Sequence, residues 1–330
     1  MARVTVSRFV LSALLIGATA GAAQAADKGA DYPSRPVSIV SPYSPGGSND
    51  LVSRLLASEL SKQSGATFIV ENKPGANGSV GASAVARSGS EGYAVLMANG
   101  ATHGTNPTLY GNRLYDAVKD FTPIGMVAEA PNVVVVGASQ PYKTLQEFID
   151  AAKRDPGKLA FGHSGLGGTG HLSGEKFAQV TGTQLLQVPY KGEGPVVSDL
   201  VAGQIPAGFL NISSVLAQTA AGKLRVLAVF SKQRTPILPD VPTAEELGIK
   251  DFEFSVWLGL AGPAGMPKAS VDKLNAMTNA ALKTPEMREK LAALGSVPVI
   301  TTPEECAERF TREIAKYKAI IDSIHLKLDQ

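Results

Sequence analysis

The 330-residue sequence predicts an α/β fold with doubly wound sheets, on three observations. Short β-branched runs alternate with stretches whose apolar residues recur at helical spacing, the pattern of strands joined by crossover helices in parallel sheets. Glycine-rich loops follow several strands, where open α/β sheets bind ligands. The length suits two domains of about 150 residues each. With 44% hydrophobic and 18% charged residues, the chain can bury enough surface to offset its ordering entropy.

Residues 1–25 carry Arg3 and Arg8 and no acid, then an apolar stretch from Phe9 to Ile16, then Ala23-Gln24-Ala25. A charged start, a short apolar core and a small-residue exit predict a cleaved secretory signal peptide. The core is too short to span roughly 30 Å of hydrocarbon. The two arginines are not adjacent and no cysteine stands at the exit, so neither a twin-arginine route nor a lipid anchor is expected. No later stretch is apolar for about 18 residues, so a soluble periplasmic protein is expected.

Pro36–Val40 reads as a strand, broken by Ser44-Pro-Gly-Gly47. A helix follows, with Leu51, Val52, Leu55, Leu56 and Leu60 on one face. Ser48 or Asn49 is placed to accept the orphan amides at its start. Strand Thr67–Val70, a small-residue helix from Val80 to Ala86 and strand Ala94–Met97 come next. Val133–Val136 is unbroken and apolar, as suits a strand buried on both faces of a parallel sheet. Three capping boxes are predicted, Thr144 with Glu147, Thr243 with Glu246 and Thr302 with Glu305. Pro303 stands at the favoured first helical position of the third. Further strands are expected near Leu159–Phe161, Leu185–Val188, Ala207–Leu210 and Val226–Val229, and helices over 270–283, up to Gly295, and over 303–325. No repeat or low-complexity linker divides the chain, which suggests two domains with more than one crossing.

Residues 1–25 account for the whole net charge of +2; beyond them 29 basic residues face 29 acidic ones. So even a balance argues against nucleic-acid binding. A single cysteine, Cys306, excludes an internal disulfide or a multi-cysteine metal site. It sits near Glu305 and Glu308, which disfavour a thiolate, so it is not expected to be a nucleophile.

Three loops are bare enough to approach a ligand: Tyr43–Asn49, Asn99–Asn106 and Gly162–Gly170. Gly46 and Gly47 leave amides uncovered at the positive end of a helix dipole, an anion seat. One such loop is often only a turn that needs glycine. Three at equivalent strand ends point to a shared anion site. Gly165, Gly167 and Gly170 spell the dinucleotide pattern, but the next strand ends in Val188-Pro-Tyr190 with no acid to hold a ribose, so no cofactor is expected. Ser164 beside His163 lacks a nucleophile elbow. His103, His163, His171 and His325 have no compact ligand spacing, so no metal is expected. His163 and His171 read best as structural. A secreted serine hydrolase using Ser164 remains the enzyme alternative.

At these loops the chain resembles the Bug family, the substrate-binding proteins of tripartite tricarboxylate transporters. The resemblance rests on Tyr32-Pro-Ser-Arg-Pro-Val37, Ser44-Pro-Gly-Gly-x-x-Asp50, Val70-Glu-Asn-Lys-Pro-Gly75, Gly92-Tyr93, Asn106-Pro-x-Leu-Tyr110 and Lys119-Asp-Phe-Thr-Pro123. It continues through Gly162-His-Ser-Gly165, His171-Leu-x-Gly-Glu175, Val188-Pro-Tyr-Lys-Gly192, Asp199-Leu-x-x-Gly-Gln204, Leu238-Pro-Asp-Val-Pro-Thr243 and Gly262-Pro-Ala-Gly265.

The resemblance implies a type II-like periplasmic binding protein of two doubly wound lobes joined by a two-crossing hinge. Lobe 1 is expected over 26–130 and 256–330, lobe 2 over 131–255. It implies a small carboxylate ligand held by amides and hydroxyls, delivered to the membrane permease subunits of a tripartite transporter. A sensor protein is the alternative partner, and a monomer is expected. The ligand contacts it implies are Tyr43, Ser44, Gly46, Gly47 and Ser48 from the first loop, Thr102 and His103 from the second, and Ser164, Gly168 and Thr169 from the third. Asn211 is expected as a neutral partner. Leu210 stands where many relatives carry Asp, and Tyr43 where Phe is common. Both departures favour a dicarboxylate or an aromatic carboxylate over an amino acid. Trp257 falls near the second crossing, where it is expected to pack the hinge.

Overall fold

The computed structural model describes residues 32–326 apart from Asn112 and His325. The signal peptide read in residues 1–25 and the fourth histidine, His325, lie outside the described residues.

The first half runs β1 (Val37–Ser41), α1 (Ser48–Ser64), β2 (Phe68–Asn72), α2 (Ser79–Ala86) and β3 (Ala94–Asn99). A wide helical turn over Ala101–Thr105 then enters α3 (Asn106–Leu109), so most of the second loop is helical. The 17-residue β4 (Phe121–Gly137) follows. Then come α4 (Leu145–Arg154), β5 (Ala160–His163), α5 (Thr169–Thr181), β6 (Leu186–Pro189), α6 (Glu193–Val201), β7 (Ala207–Asn211), α7 (Ile212–Ala220) and β8 (Leu224–Val229). The chain returns through β9 (Ser255–Pro263) and ends in α8 (Lys268–Lys283), α9 (Pro285–Ala293), β10 (Val297–Pro298) and α10 (Pro303–Ser323).

Among the described residues the strand order is β2-β1-β3-β9-β4-β7-β5-β6, with β8 and β10 also on β4. Pairing is parallel between β1 and β2, β1 and β3, β5 and β6, and β5 and β7. The centre departs from expectation. Val133–Val136 are fully buried, yet β4 runs antiparallel to β7, β8 and β9. Burial on both faces comes from its central place, not from parallel pairing.

Strand β4 belongs to both halves of the sheet. Phe121–Pro131 pair with β9, and Asn132–Val136 pair with β7. Pro131 stands at the change-over, where a residue with no N–H leaves no ladder donor unpaired. Asn211 Nδ2 donates to Ala130 O at 3.0 Å and to Pro131 O at 3.3 Å, tying β7 to the crossing.

Local signals set the helices. In α1, Val52, Leu56 and Leu60 are fully buried, each contributing about 1.5–3 kcal/mol of burial. Leu51 and Leu55 are half-buried. The Thr144–Glu147 and Thr302–Glu305 boxes cap α4 and α10. The third box also forms, with Thr243 Oγ1 accepting from Glu246 N and Glu246 Oε2 from Thr243 N, but the chain there only turns. Trp257 is buried on β9 and stacks on Phe310 of α10 at 5.3 Å, a packing role. No described helix is long and apolar enough to cross a membrane.

Candidate functional site

The N-terminal ends of α1 and α5, from opposite halves of the sheet, line one cavity. Gly47, Ser48 and Asn49 come from one side, and Ser164, Gly168 and Thr169 from the other. Tyr43, Asn99, Gly100, Ala101, Glu193 and Val256 complete it. Its volume is about 30 Å³, room for roughly two waters, and Ser48 and Glu193 meet across the cleft beside it.

The first loop differs from the expected open seat. Neither Ser48 nor Asn49 caps α1; its N-cap is Gly47, without a side-chain bond. The helix end is instead occupied by a carboxylate of the protein itself. Glu193 Oε2 accepts from Ser48 N at 3.1 Å and from Ser48 Oγ at 2.9 Å. Its Oε1 accepts from Asn211 N at 2.7 Å. Burial pushes the Glu193 carboxyl above its ordinary range, against the pull of the hydrogen bonds from Asn211, Ser48 and Ser214. Gly46 N donates to Asp50 Oδ2 at 3.0 Å, so this amide too is committed. A carboxylate is therefore present beside Asn211 despite Leu210.

Close approach across the cleft depends on glycine. A Cβ on Gly194 would lie 2.2 Å from Pro45 O, and one on Gly192 3.0 Å from Ser44 N. Ser44 N itself donates to Lys191 O at 3.0 Å.

The third loop keeps its helix end open. No side chain caps α5, whose N-cap is Gly168, and first-turn amides have no intrahelical acceptor. Ser164 and Thr169 add hydroxyls beside it. Two histidines brace the loop from behind. His163 Nε2 meets Gln187 Oε1 at 2.8 Å and its Nδ1 meets Gly165 O at 3.0 Å. His171 Nδ1 accepts from Gly167 N at 2.9 Å and its ring stacks on His163 at 4.5 Å. Burial, with the neighbouring His171, holds His163 down to about 3, so it stays neutral. With both ring nitrogens engaged, His163 is not a base for Ser164.

Five expected contacts do not line the cavity. Thr102 and His103 are fully buried behind it in the wide turn. Asn99 Oδ1 accepts from Ala101 N and Thr102 N, which turns Thr102 inward. The His103 ring packs between Phe121 and Phe310, both at 4.7 Å, and burial lowers its pKa to about 3. Asn211 caps α7 and spends its donors on the crossing and on Glu193. Ser44 and Gly46 face an outer groove instead. Asn49, Asn99, Gly100 and Ala101 line the cavity from the expected loops without being among the expected contacts, and Glu193 and Val256 lie outside those loops altogether. Among the described residues no cluster of His, Cys, Asp or Glu could hold a metal.

The family model described as "Tripartite tricarboxylate transporter family receptor" matches residues 52–326. Protein BugT of Bordetella pertussis is 36% identical over 313 residues, 94% of this chain and 95% of BugT. Among solved structures, R. palustris Rpa4515 with adipate is 33% identical, with a TM-score of 0.87 over 90% of this chain and 99% of that one. MatC from Rhodopseudomonas palustris with bound malate is 30% identical, with a TM-score of 0.82 over 88% of this chain and 100% of that one. The fold is thus that of the two-lobed periplasmic binding proteins. The chain belongs to the tripartite tricarboxylate transporter receptor family, the family of the Bug proteins, whose members are binding receptors and not enzymes.

Proposed function

We propose that this receptor captures a small carboxylate in the periplasm and delivers it to the permease subunits of a tripartite transporter. The observation that carries the reading is the cavity itself, built from two helix N-termini and lined by Ser48, Ser164, Thr169 and Tyr43. Oriented amides and hydroxyls hold a carboxylate without a paired arginine by sharing its charge. The open end of α5 is the seat for the ligand carboxylate. The end of α1, hydrogen-bonded to Glu193 of α6, closes over it.

Dicarboxylates lead, because relatives of this fold are described with adipate and with malate. Lobe 1 comprises residues 26–130 and 256–330 and lobe 2 residues 131–255. The pairing change of β4 at Pro131 and the start of β9 at Ser255 support those limits. Ligand contacts favour the closed arrangement over an open one about this hinge. Export through a cleaved residue 1–25 segment places the receptor in the periplasm.

A thermal-shift screen over mono-, di- and tricarboxylates tests the binding. A ligand at a hundred times its dissociation constant adds about 2.7 kcal/mol of stability. No shift with any carboxylate overturns the reading. Ligand-dependent uptake into vesicles holding the permease subunits tests the delivery.

A further inference from the structure

One group in the cavity wall has no partner that the protein supplies. Asn49, 4% exposed, turns its Nδ2 to Met97 O at 3.0 Å. That bond fixes the amide's orientation, since the reversed amide would set two carbonyl oxygens against each other. Asn49 Oδ1 is then buried without a donor. Donors on the residues next to it in the loop and in α1 are committed elsewhere. Ser48 N and Oγ serve Glu193, Gly46 N serves Asp50, and Ser53 Oγ donates to the main-chain carbonyl of Asn49. Asn49 lines the cavity, and a buried acceptor left unpaired on a lining residue calls for a donor that the bound ligand can bring.

We infer that Asn49 is a specificity-determining residue, and that the ligand is a carboxylate carrying a hydrogen-bond donor, a hydroxyl or an ammonium, for Asn49 Oδ1 to accept. The inference rests on the cavity being a carboxylate site. Glu193 does not take this role, because its two oxygens already accept from Ser48 and Asn211. A site built around a ligand donor rejects the analogue that lacks it, since that analogue leaves the protein acceptor buried and unpaired.

Calorimetry with matched acids tests this: malate and aspartate against succinate, lactate and alanine against propionate, and 3-hydroxyadipate against adipate. In the wild-type protein the substituted member of the binding series is expected to bind about tenfold or more tighter than its parent acid. In Asn49→Leu, which keeps the branching of the side chain but offers neither donor nor acceptor, that ratio falls toward one, whatever happens to the affinity for the parent acid. The malate and aspartate arms separate hydroxyl from ammonium. Equal binding of parent and substituted acids by the wild-type protein overturns the inference while leaving the carboxylate reading intact. So does a ratio that survives Asn49→Leu. Should N49L fold poorly, the wild-type ratios decide alone. Binding of no acid in any series defeats the carboxylate reading, and this inference with it.

Discussion

Glu193 Oε2 lies 2.9 Å from Ser48 Oγ, joining residues 145 apart in sequence across the cleft. With Asn211 N on its other oxygen, the Glu193 carboxylate ties the end of α1 to the start of α7. Hydrogen bonds to a charged group contribute about 1.5–3 kcal/mol each, offset here by the cost of burying the charge. The receptor thus carries a clasp of its own, and that clasp shapes the first prediction.

Burial raises the Glu193 pKa in the closed form. A carboxyl with a raised pKa binds its proton more tightly when closed than when exposed. Its contribution is therefore greatest below the ordinary value of 4.5 and is lost as pH rises through the raised value. Small-angle scattering of the unliganded protein should show opening as pH rises from 4.5. Glu193→Gln should flatten that dependence. An unchanged pH profile in Glu193→Gln would remove Glu193 from the clasp.

Gly47 faces Glu193 closely across the cleft. A Cβ there would stand 3.4 Å from Glu193 Cβ, and the γ-methyls of valine would press further into the cleft. Gly47→Val is expected to weaken carboxylate binding at least about tenfold, or about 1.4 kcal/mol, with little change in melting temperature. Gly46 takes φ +86°, so Gly46→Val adds strain of about 1–2 kcal/mol and lowers stability as well. Calorimetry beside thermal melts separates the two effects.

His103 and His163 are held neutral by burial, both near 3 against an ordinary 6.5. The unfolded chain takes up their protons first as pH falls, so their stabilising contribution is present above 6.5 and lost as pH drops toward 3. Melting temperature should fall over that window. His163→Gln should make the fall shallower. An equal slope in wild type and variant would show that His163 does not titrate there.

Cys306 is buried against Met126, and burial pushes its thiol up to about 12. A thiol-specific reagent should leave it unmodified at pH 8 in the native protein and label it fully in denaturant. Rapid native labelling would show that α10 detaches from the sheet.

Much of this fold is legible because its signals are local. The Thr144–Glu147 and Thr302–Glu305 boxes satisfy amides within one turn, whatever the rest of the chain does. Apolar spacing marks α1, and the run of valines marks the centre of β4. The Thr243–Glu246 box shows the limit of such reading: the hydrogen bonds form, but the chain leaves the turn at Gly248 and no helix grows. The Cys306 thiol is pushed up by burial, and not by the neighbouring acids that the sequence offers as the reason.

The site is legible only by loop. Glycine and hydroxyl composition singles out the Tyr43–Asn49, Asn99–Asn106 and Gly162–Gly170 segments, and all three reach the cavity. Composition cannot say which way a side chain turns. Asn99 bends the second segment into a wide turn that buries Thr102 and His103. An acid on α6 has no local feature to link it with the start of α1.

The sequence by itself determined the alternation of strands and helices, the loops that carry the site and the family resemblance, because short-range periodicity, capping and motif order encode them. Only the tertiary structure decided that β4 runs antiparallel through the centre, that Glu193 takes the α1 end read as an open anion seat, and that Asn49 Oδ1 is left without a donor. Those outcomes depend on which distant groups meet across a closed cleft, and pairwise meetings over 145 residues leave no periodic trace in the chain.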